Sequence, residues 1–109
     1  MLYFVATPIG NMSDMTYRAV ETLKSVDVIA CEDTRHSLRL LNFYDIKKPL
    51  IAYHKFNEKK AAFEIINLLK EGKNVAVISD AGMPVISDPG NALTELLSEN
   101  EQPFTVIPG

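Results

Sequence analysis

Five short apolar runs, each divided from the next by a segment of helical periodicity, constrain this chain more than any other feature. Residues 2–6, 26–31, 50–53, 74–79 and 104–107 are rich in Val, Ile, Phe, Tyr and Leu, and none is long enough to be a helix of ordinary length. Between them, apolar residues recur every three or four positions. They are Ala19, Val20 and Leu23; then Leu38, Leu40 and Leu41 in 34–43; then Ala61, Ala62, Ile65, Ile66, Leu68 and Leu69; then Leu93, Leu96 and Leu97 in 91–99. A strand apolar at every position is covered on both faces, and parallel strands need long crossovers, usually helical. The pattern therefore predicts an α/β fold: a five-stranded, mainly parallel sheet with helices on both faces, in three layers. With 109 residues, no linker and no internal repeat, residues 1–109 read as one domain.

Local signals mark the boundaries. Ser13 or Asp14 is expected to cap the first helix and Asn57 the third, where Gly72 provides the stop. Asp88 ahead of Pro89 suits the start of the fourth helix. The longest unbroken apolar run, residues 2–6, is too short to span a membrane, and no basic segment precedes it as in a secretory signal. A single cysteine, Cys31, excludes an internal disulfide and fits a reducing, cytoplasmic setting.

Net charge is −3, so the chain as a whole is not a basic nucleic-acid binder. The charge is unevenly spread, however. Residues 35–60 carry seven Lys or Arg against Asp45 and Glu58, a net of +5, with His36 and His54 in the same stretch. That stretch is either solvated surface or a phosphate-contacting face.

In open α/β sheets ligands bind beyond the carboxyl ends of the strands. The candidate loops are therefore 7–11, 32–36, 54–57 and 80–90, with whatever follows Gly109. No G-x-G-x-x-G, Gly-Lys-Ser/Thr, G-x-S-x-G, C-x-x-C or H-E-x-x-H occurs, which disfavours a Rossmann dinucleotide site, a P-loop, a hydrolase elbow and the common metal motifs. Loop 80–90 packs two Asp, two Gly and two Pro into one turn-rich stretch, suited to presenting main-chain groups to a ligand or simply to connecting strand and helix. Glu32, Asp33 and Arg35 put two acids and a base at the end of the second strand. A carboxylate there can take a proton and Arg35 can hold a phosphate, or Asp33 can cap the next helix. His54, with Asn57 and Glu58, contacts RNA or begins a helix. Cys31, Glu32, Asp33 and His36 are too close in sequence to converge on a metal, and Cys31 reads as a small buried hydrophobe.

Four motifs in order, Val5-Ala6-Thr7-Pro8-Ile9-Gly10-Asn11, Val26-Asp27-Val28-Ile29-Ala30-Cys31-Glu32-Asp33-Thr34-Arg35, Ser79-Asp80-Ala81-Gly82-Met83-Pro84-Val85-Ile86-Ser87-Asp88-Pro89-Gly90 and Ile107-Pro108-Gly109, resemble one family over the whole chain. That family is the ribosomal RNA small subunit methyltransferase I group of the tetrapyrrole methylase superfamily. Met83 and Cys31 depart from it, standing where the family usually has Thr and often has Ala. The resemblance implies S-adenosylmethionine as cofactor and, as acceptor, the 2′-hydroxyl of a decoding-centre cytidine in 16S ribosomal RNA within the 30S subunit. It implies that Pro8, Ile9, Gly10, Asp80, Ala81, Gly82, Met83 and Pro84 form the near wall of the cofactor site. Glu32, Asp33 and Arg35 are then the catalytic candidates. Asn11, Arg35, Arg39, His54, Lys55 and Lys59 are the RNA-facing ones, and no metal is implied. It further implies a homodimer, and a second α/β domain beyond Gly109. Residues 1–109 would then be the amino-terminal domain of a two-domain enzyme, inactive alone. The competing expectations are a related methylase with another acceptor, and a non-catalytic binding or dimerisation module.

Overall fold

The computed structural model describes residues 1–80, 82 and 92–108. Its strands are β1 (Leu2–Val5), β2 (Val28–Cys31), β3 (Leu50–Ala52), β4 (Val75–Ile78) and β5 (Phe104–Ile107). Its helices are α1 (Tyr17–Ser25), α2 (Thr34–Phe43), α3 (Glu58–Lys70) and α4 (Ala92–Glu99), with a short 3-10 turn at Met12–Asp14. The five strands form one sheet in the order β3-β2-β4-β1-β5, and every pairing is parallel.

Alternation along the strands sorts the core into two layers. Val5, Ile29, Cys31, Ala76, Ile78 and Ile107 face one side, where they meet Ala19, Leu23 and Leu41 of α1 and α2. Leu2, Phe4, Ala30, Val75 and Val77 face the other, against Ala62, Ile65, Ile66 and Leu69 of α3 and Leu93 and Leu97 of α4. The strand order explains this division. After β1 and β2 the chain steps toward the β3 edge, whereas after β3 and β4 it steps back toward the β5 edge. Right-handed crossovers in opposite directions must lie on opposite faces. The expected three-layer architecture is therefore present.

Several boundaries differ from the sequence expectation. Thr16, not Ser13 or Asp14, caps α1: its Oγ1 accepts from the Ala19 amide at 3.1 Å, and Asp14 ends the 3-10 turn instead. Val26 belongs to the end of α1, where its amide donates to Thr22 O, so β2 starts at Val28. Leu38 does not point inward; it is 46% exposed, and the inward face of α2 is Ser37, Leu40 and Leu41. The 3.6-residue period puts Leu38 one position off that face. Asn57 occupies the capping position of α3 without capping it, because its side chain turns back into the preceding loop. Gly72 performs as expected. At φ +86° it closes α3 with bonds from its own amide to Leu69 O and from Lys73 N to Leu68 O, both at 3.0 Å. The expected cap at Asp88 and Pro89 lies outside the described residues.

Candidate active site

The strand order dictates where loops can meet. β4 lies between β2 and β1. Both neighbours lead into helices on one face, and β4 leads into α4 on the other. A crevice therefore opens on each side of β4 at its carboxyl end, the position at which open α/β sheets take ligands.

The structure fastens these loops together. Thr7, just past β1, and Gly82, just past β4, form an isolated antiparallel bridge. Thr7 Oγ1 lies 3.3 Å from both Ser79 O and Gly82 O, and Ser79 Oγ is also 3.3 Å from Gly82 O. Gly82 has φ +85°, a conformation other residues adopt only with strain. From the β2 side, the Asp33 amide donates to Asp80 Oδ1 at 3.3 Å, and His36 Nε2 lies 2.8 Å from Asp80 O. Asp80 is thus tied to the β2–α2 turn by both its carboxylate and its carbonyl.

Two clefts flank the Thr7 segment. One, of ≈ 340 Å³, is lined by Pro8, Gly10, Met12, His36, Arg39, Leu40 and Asp80. The other, of ≈ 320 Å³, lies between Ala6, Thr7, Pro8, Ile9 and Gly82 on one side and the Asp14, Met15 and Thr16 segment on the other. Each is at the lower end of the range for small-molecule sites. Tyr44, just after α2, braces the first cleft: its hydroxyl donates to Met12 O and accepts from the Met15 amide at 3.3 Å.

The predicted site residues do not all converge. Pro8, Ile9, Gly10, Asp80 and Gly82 are brought together on the two clefts, and Arg39 joins them. Ala81, Met83 and Pro84 lie outside the described residues. Glu32, Asp33 and Arg35 stand at the head of β2, all exposed. Asp33 Oδ1 accepts from the amides of Arg35 at 2.9 Å and His36 at 3.4 Å, so it is the cap of α2. Asn11 Oδ1 is engaged locally by Ser13, by its amide at 3.0 Å and its hydroxyl at 2.9 Å. His54, Lys55 and Lys59 form a corner above β3, two strands and so about 10 Å from β4.

The basic stretch divides in space. Arg35, Arg39, Lys55, Lys59 and Lys60 follow the carboxyl ends of β2 and β3. Lys47 and Lys48 precede β3, at the opposite end of the sheet, where Lys47 lies 3.9 Å from Asp45. They do not belong to the candidate face.

Beneath this surface Cys31 is fully buried. Burial pushes its thiol pKa up; the neighbouring Ser37 hydroxyl opposes this, and the Asp80 and Asp33 carboxylates add to it. The thiol is therefore neutral and enclosed, not a nucleophile. Among the described residues no group of three or more His, Cys, Asp or Glu converges as a metal site would need.

Sequence reasoning missed three contributors. His36 and Tyr44 act through hydrogen bonds to main-chain atoms of loops distant in sequence, 44 and 32 residues away. Glu58 Oε1 accepts from the Ala92 amide at 3.0 Å, so α3 supplies a cap for α4. None carries a local sequence signal, because each partner is set by the strand order.

Comparison with known proteins identifies the family of the chain. The sequence profile of the Tetrapyrrole (Corrin/Porphyrin) Methylases matches residues 1–109. The chain is 58% identical to the ribosomal RNA small subunit methyltransferase I of Mycoplasmopsis pulmonis over 108 residues, covering 99% of this chain and 49% of that protein. It is 54% identical to that of Thermotoga maritima over 108 residues, again 99% and 49%, and 49% identical to that of Bacillus subtilis over 109 residues, 100% and 37%. The chain therefore spans half or less of the length of these relatives. Among solved structures, uroporphyrin-III-C-methyltransferase from Thermus thermophilus superposes with a TM-score of 0.72 at 24% identity, covering 99% of this chain and 46% of that one. The fold is therefore shared with that structure. The chain belongs to the tetrapyrrole methylase family.

Proposed function

We propose that this member of the tetrapyrrole methylase family is the amino-terminal half of an S-adenosylmethionine-dependent methyltransferase. Its acceptor is the ribose 2′-hydroxyl of a cytidine in 16S ribosomal RNA within the 30S subunit, and it works in the cytoplasm as a homodimer. The observation that carries the reading is the Thr7–Gly82 bridge, which joins the Pro8, Ile9 and Gly10 turn to Asp80 at the crevice beside β4. The relatives named for small-subunit RNA methylation supply the acceptor. Among the described residues no helix is long and apolar enough to cross a membrane.

The residues present fit an adenosyl sulfonium. Such a molecule needs an apolar surface for adenine, main-chain polar groups around it, and a carboxylate for hydroxyls or an ammonium. Pro8 and Ile9 supply the first, with Ile9 81% exposed. The turn of Ile9 and Gly10 supplies the second, and Asp80 the third. Bound, the cofactor would supply an electrophilic methyl group: the acceptor oxygen bonds to it as the sulfur–carbon bond breaks, and the hydroxyl proton leaves. In this reading Arg35 holds a backbone phosphate of the acceptor strand. Asp33 is committed to capping α2, so Glu32, exposed at the end of β2, is the acid assigned to receive the hydroxyl proton. Much of the rate enhancement then comes from positioning.

The test uses the longest natural polypeptide containing these residues, tritiated S-adenosylmethionine and undermethylated 30S subunits. Label recovered as 2′-O-methylcytidine in 16S RNA is expected, and Asp80→Ala should abolish it. Absence of label in RNA from the unsubstituted protein overturns the reading; label in a tetrapyrrole instead assigns the chain to a related methylase.

A further inference from the structure

The loop between β3 and α3 holds a feature that neither the core nor the clefts explain. Phe56 is 88% exposed, more than any other large hydrophobic residue among those described. It is nonetheless held in place. Asn57 pins the loop, accepting from the His54 amide at 2.9 Å and donating to Ala52 O at 2.8 Å. The Phe56 amide donates to His54 Nδ1 at 3.2 Å, and the two rings meet edge to face at 6.0 Å between centroids. Glu58, two residues on, is bonded to the first amide of α4. An exposed ring on a pinned loop presents its face to solvent without the entropy that a mobile side chain would lose on binding.

Its surroundings are basic. Lys55 Nζ lies 5.9 Å from the centre of the Phe56 ring. Lys59 and Lys60 follow on the first turn of α3, and both are exposed. Arg35 stands at the head of the adjacent strand β2. An aromatic face among cations is how proteins grip single-stranded nucleic acid: bases stack on the ring and phosphates run along the charges. A protein partner of ordinary composition would call for a wider apolar patch than one ring fringed by lysines.

We propose that Phe56 is a stacking platform for an unpaired base of the RNA substrate, with Lys55 and Lys59 contacting the flanking phosphates. This rests on the RNA-acceptor reading above. Phe56 lies on the edge strand's loop, two strands from β4, so it would engage a nucleotide flanking the acceptor and not the acceptor itself. It is a positioning residue. The stacked base fixes the strand's register, and the acceptor hydroxyl follows.

The experiment uses the longest natural polypeptide containing this chain and a short single-stranded oligoribonucleotide of the acceptor region carrying 2-aminopurine at positions flanking the acceptor. The unsubstituted protein should quench 2-aminopurine at one flanking position, because stacking quenches its fluorescence. Phe56→Ala should remove that quenching and weaken RNA binding about 5- to 100-fold. KM for RNA should rise in step, while kcat and S-adenosylmethionine affinity stay unchanged. Phe56→Trp should keep binding within about threefold and restore the quenching. Lys55→Gln should weaken binding and lower the salt slope by about one. Equal RNA binding and quenching by Phe56→Ala and the unsubstituted protein, with methyl transfer intact, overturns the platform and leaves the function standing. No RNA binding or methylation by the unsubstituted protein overturns both. A Phe56→Ala variant that changes oligomeric state while binding RNA normally marks the ring as a protein contact, and that also overturns the platform.

Discussion

Thr7 and Gly82 exchange backbone hydrogen bonds in both directions, 2.9 Å from Thr7 N to Gly82 O and 3.0 Å from Gly82 N to Thr7 O, across 75 residues of sequence. This two-bond bridge makes the ends of β1 and β4 one continuous surface. A Cβ at Gly82 would meet Ile9 Cδ1 at 3.6 Å, an ordinary contact, so space is not the obstacle; the φ of +85° is. Gly82→Ala should cost about 1–2 kcal/mol and weaken S-adenosylmethionine binding more than stability alone explains. Denaturant midpoints and calorimetric cofactor titration check this. Unchanged cofactor affinity would show the bridge to be structural only.

Asp33 separates capping from chemistry. Asp33→Ala should destabilise the domain by about 1 kcal/mol through loss of the α2 cap. Asp33→Asn keeps an oxygen acceptor and should recover most of that loss. If Glu32 receives the proton, Asp33→Asn should also keep methyl transfer, whereas Glu32→Gln should reduce it by about 10²-fold or more. An inactive but fully stable Asp33→Asn would move the proton acceptor to Asp33.

Cys31 should be inert in the folded protein. Its side chain is fully buried and its thiol is held in the neutral form by that burial. Titration with a disulfide reagent at neutral pH should show reaction only at the rate of unfolding, and full reaction in denaturant. The buried Ser37 hydroxyl beside it has no hydrogen-bond partner of ordinary geometry among the described residues. Ser37→Ala should therefore be neutral or stabilising by up to about 1 kcal/mol. A loss larger than that would reveal a strong bond from Ser37 to the thiol.

Tyr53 predicts how the fold fails in alkali. Burial, with the Glu58 carboxylate adding and a bond to the Leu93 backbone opposing, pushes its hydroxyl from 10.0 up to about 12. An unfolded chain releases that proton near its ordinary value, so between these limits the folded state binds more protons. Stability contributed by neutral Tyr53 is complete below pH about 10 and is lost as pH rises through about 12. Melting temperatures of Tyr53→Phe and the unsubstituted protein should diverge over that range, with the unsubstituted protein falling faster. Parallel curves would mean that Tyr53 ionises as freely as an exposed tyrosine.

The sheet and its two helical layers were legible because apolar periodicity is a local signal. Residues 74–79 read as a strand and Val75–Ile78 forms one; Gly72 read as a stop and closes α3. Three misplacements were at boundaries, Thr16 for Ser13 or Asp14, Val28 for Val26 and Asn57 at a cap position it does not cap, and one was within a helix, Leu38 turned outward. There, neighbouring polar residues compete for one cap, or one extra leucine blurs the apolar stripe.

Amino-acid order alone thus determined which residues form strands and helices and that the strands run parallel, and it nominated loops 7–11, 32–36, 54–57 and 80–90 as candidates for ligand contact. Tertiary structure decided which of those loops meet. It set β4 between β2 and β1, bonded Thr7 to Gly82, placed His36 against Asp80, and put Lys47 and Lys48 at the wrong end of the sheet for the site. The reason is that a side-chain period reports only what an element must bury. Strand order is chosen by contacts between elements many residues apart, and no local pattern encodes them.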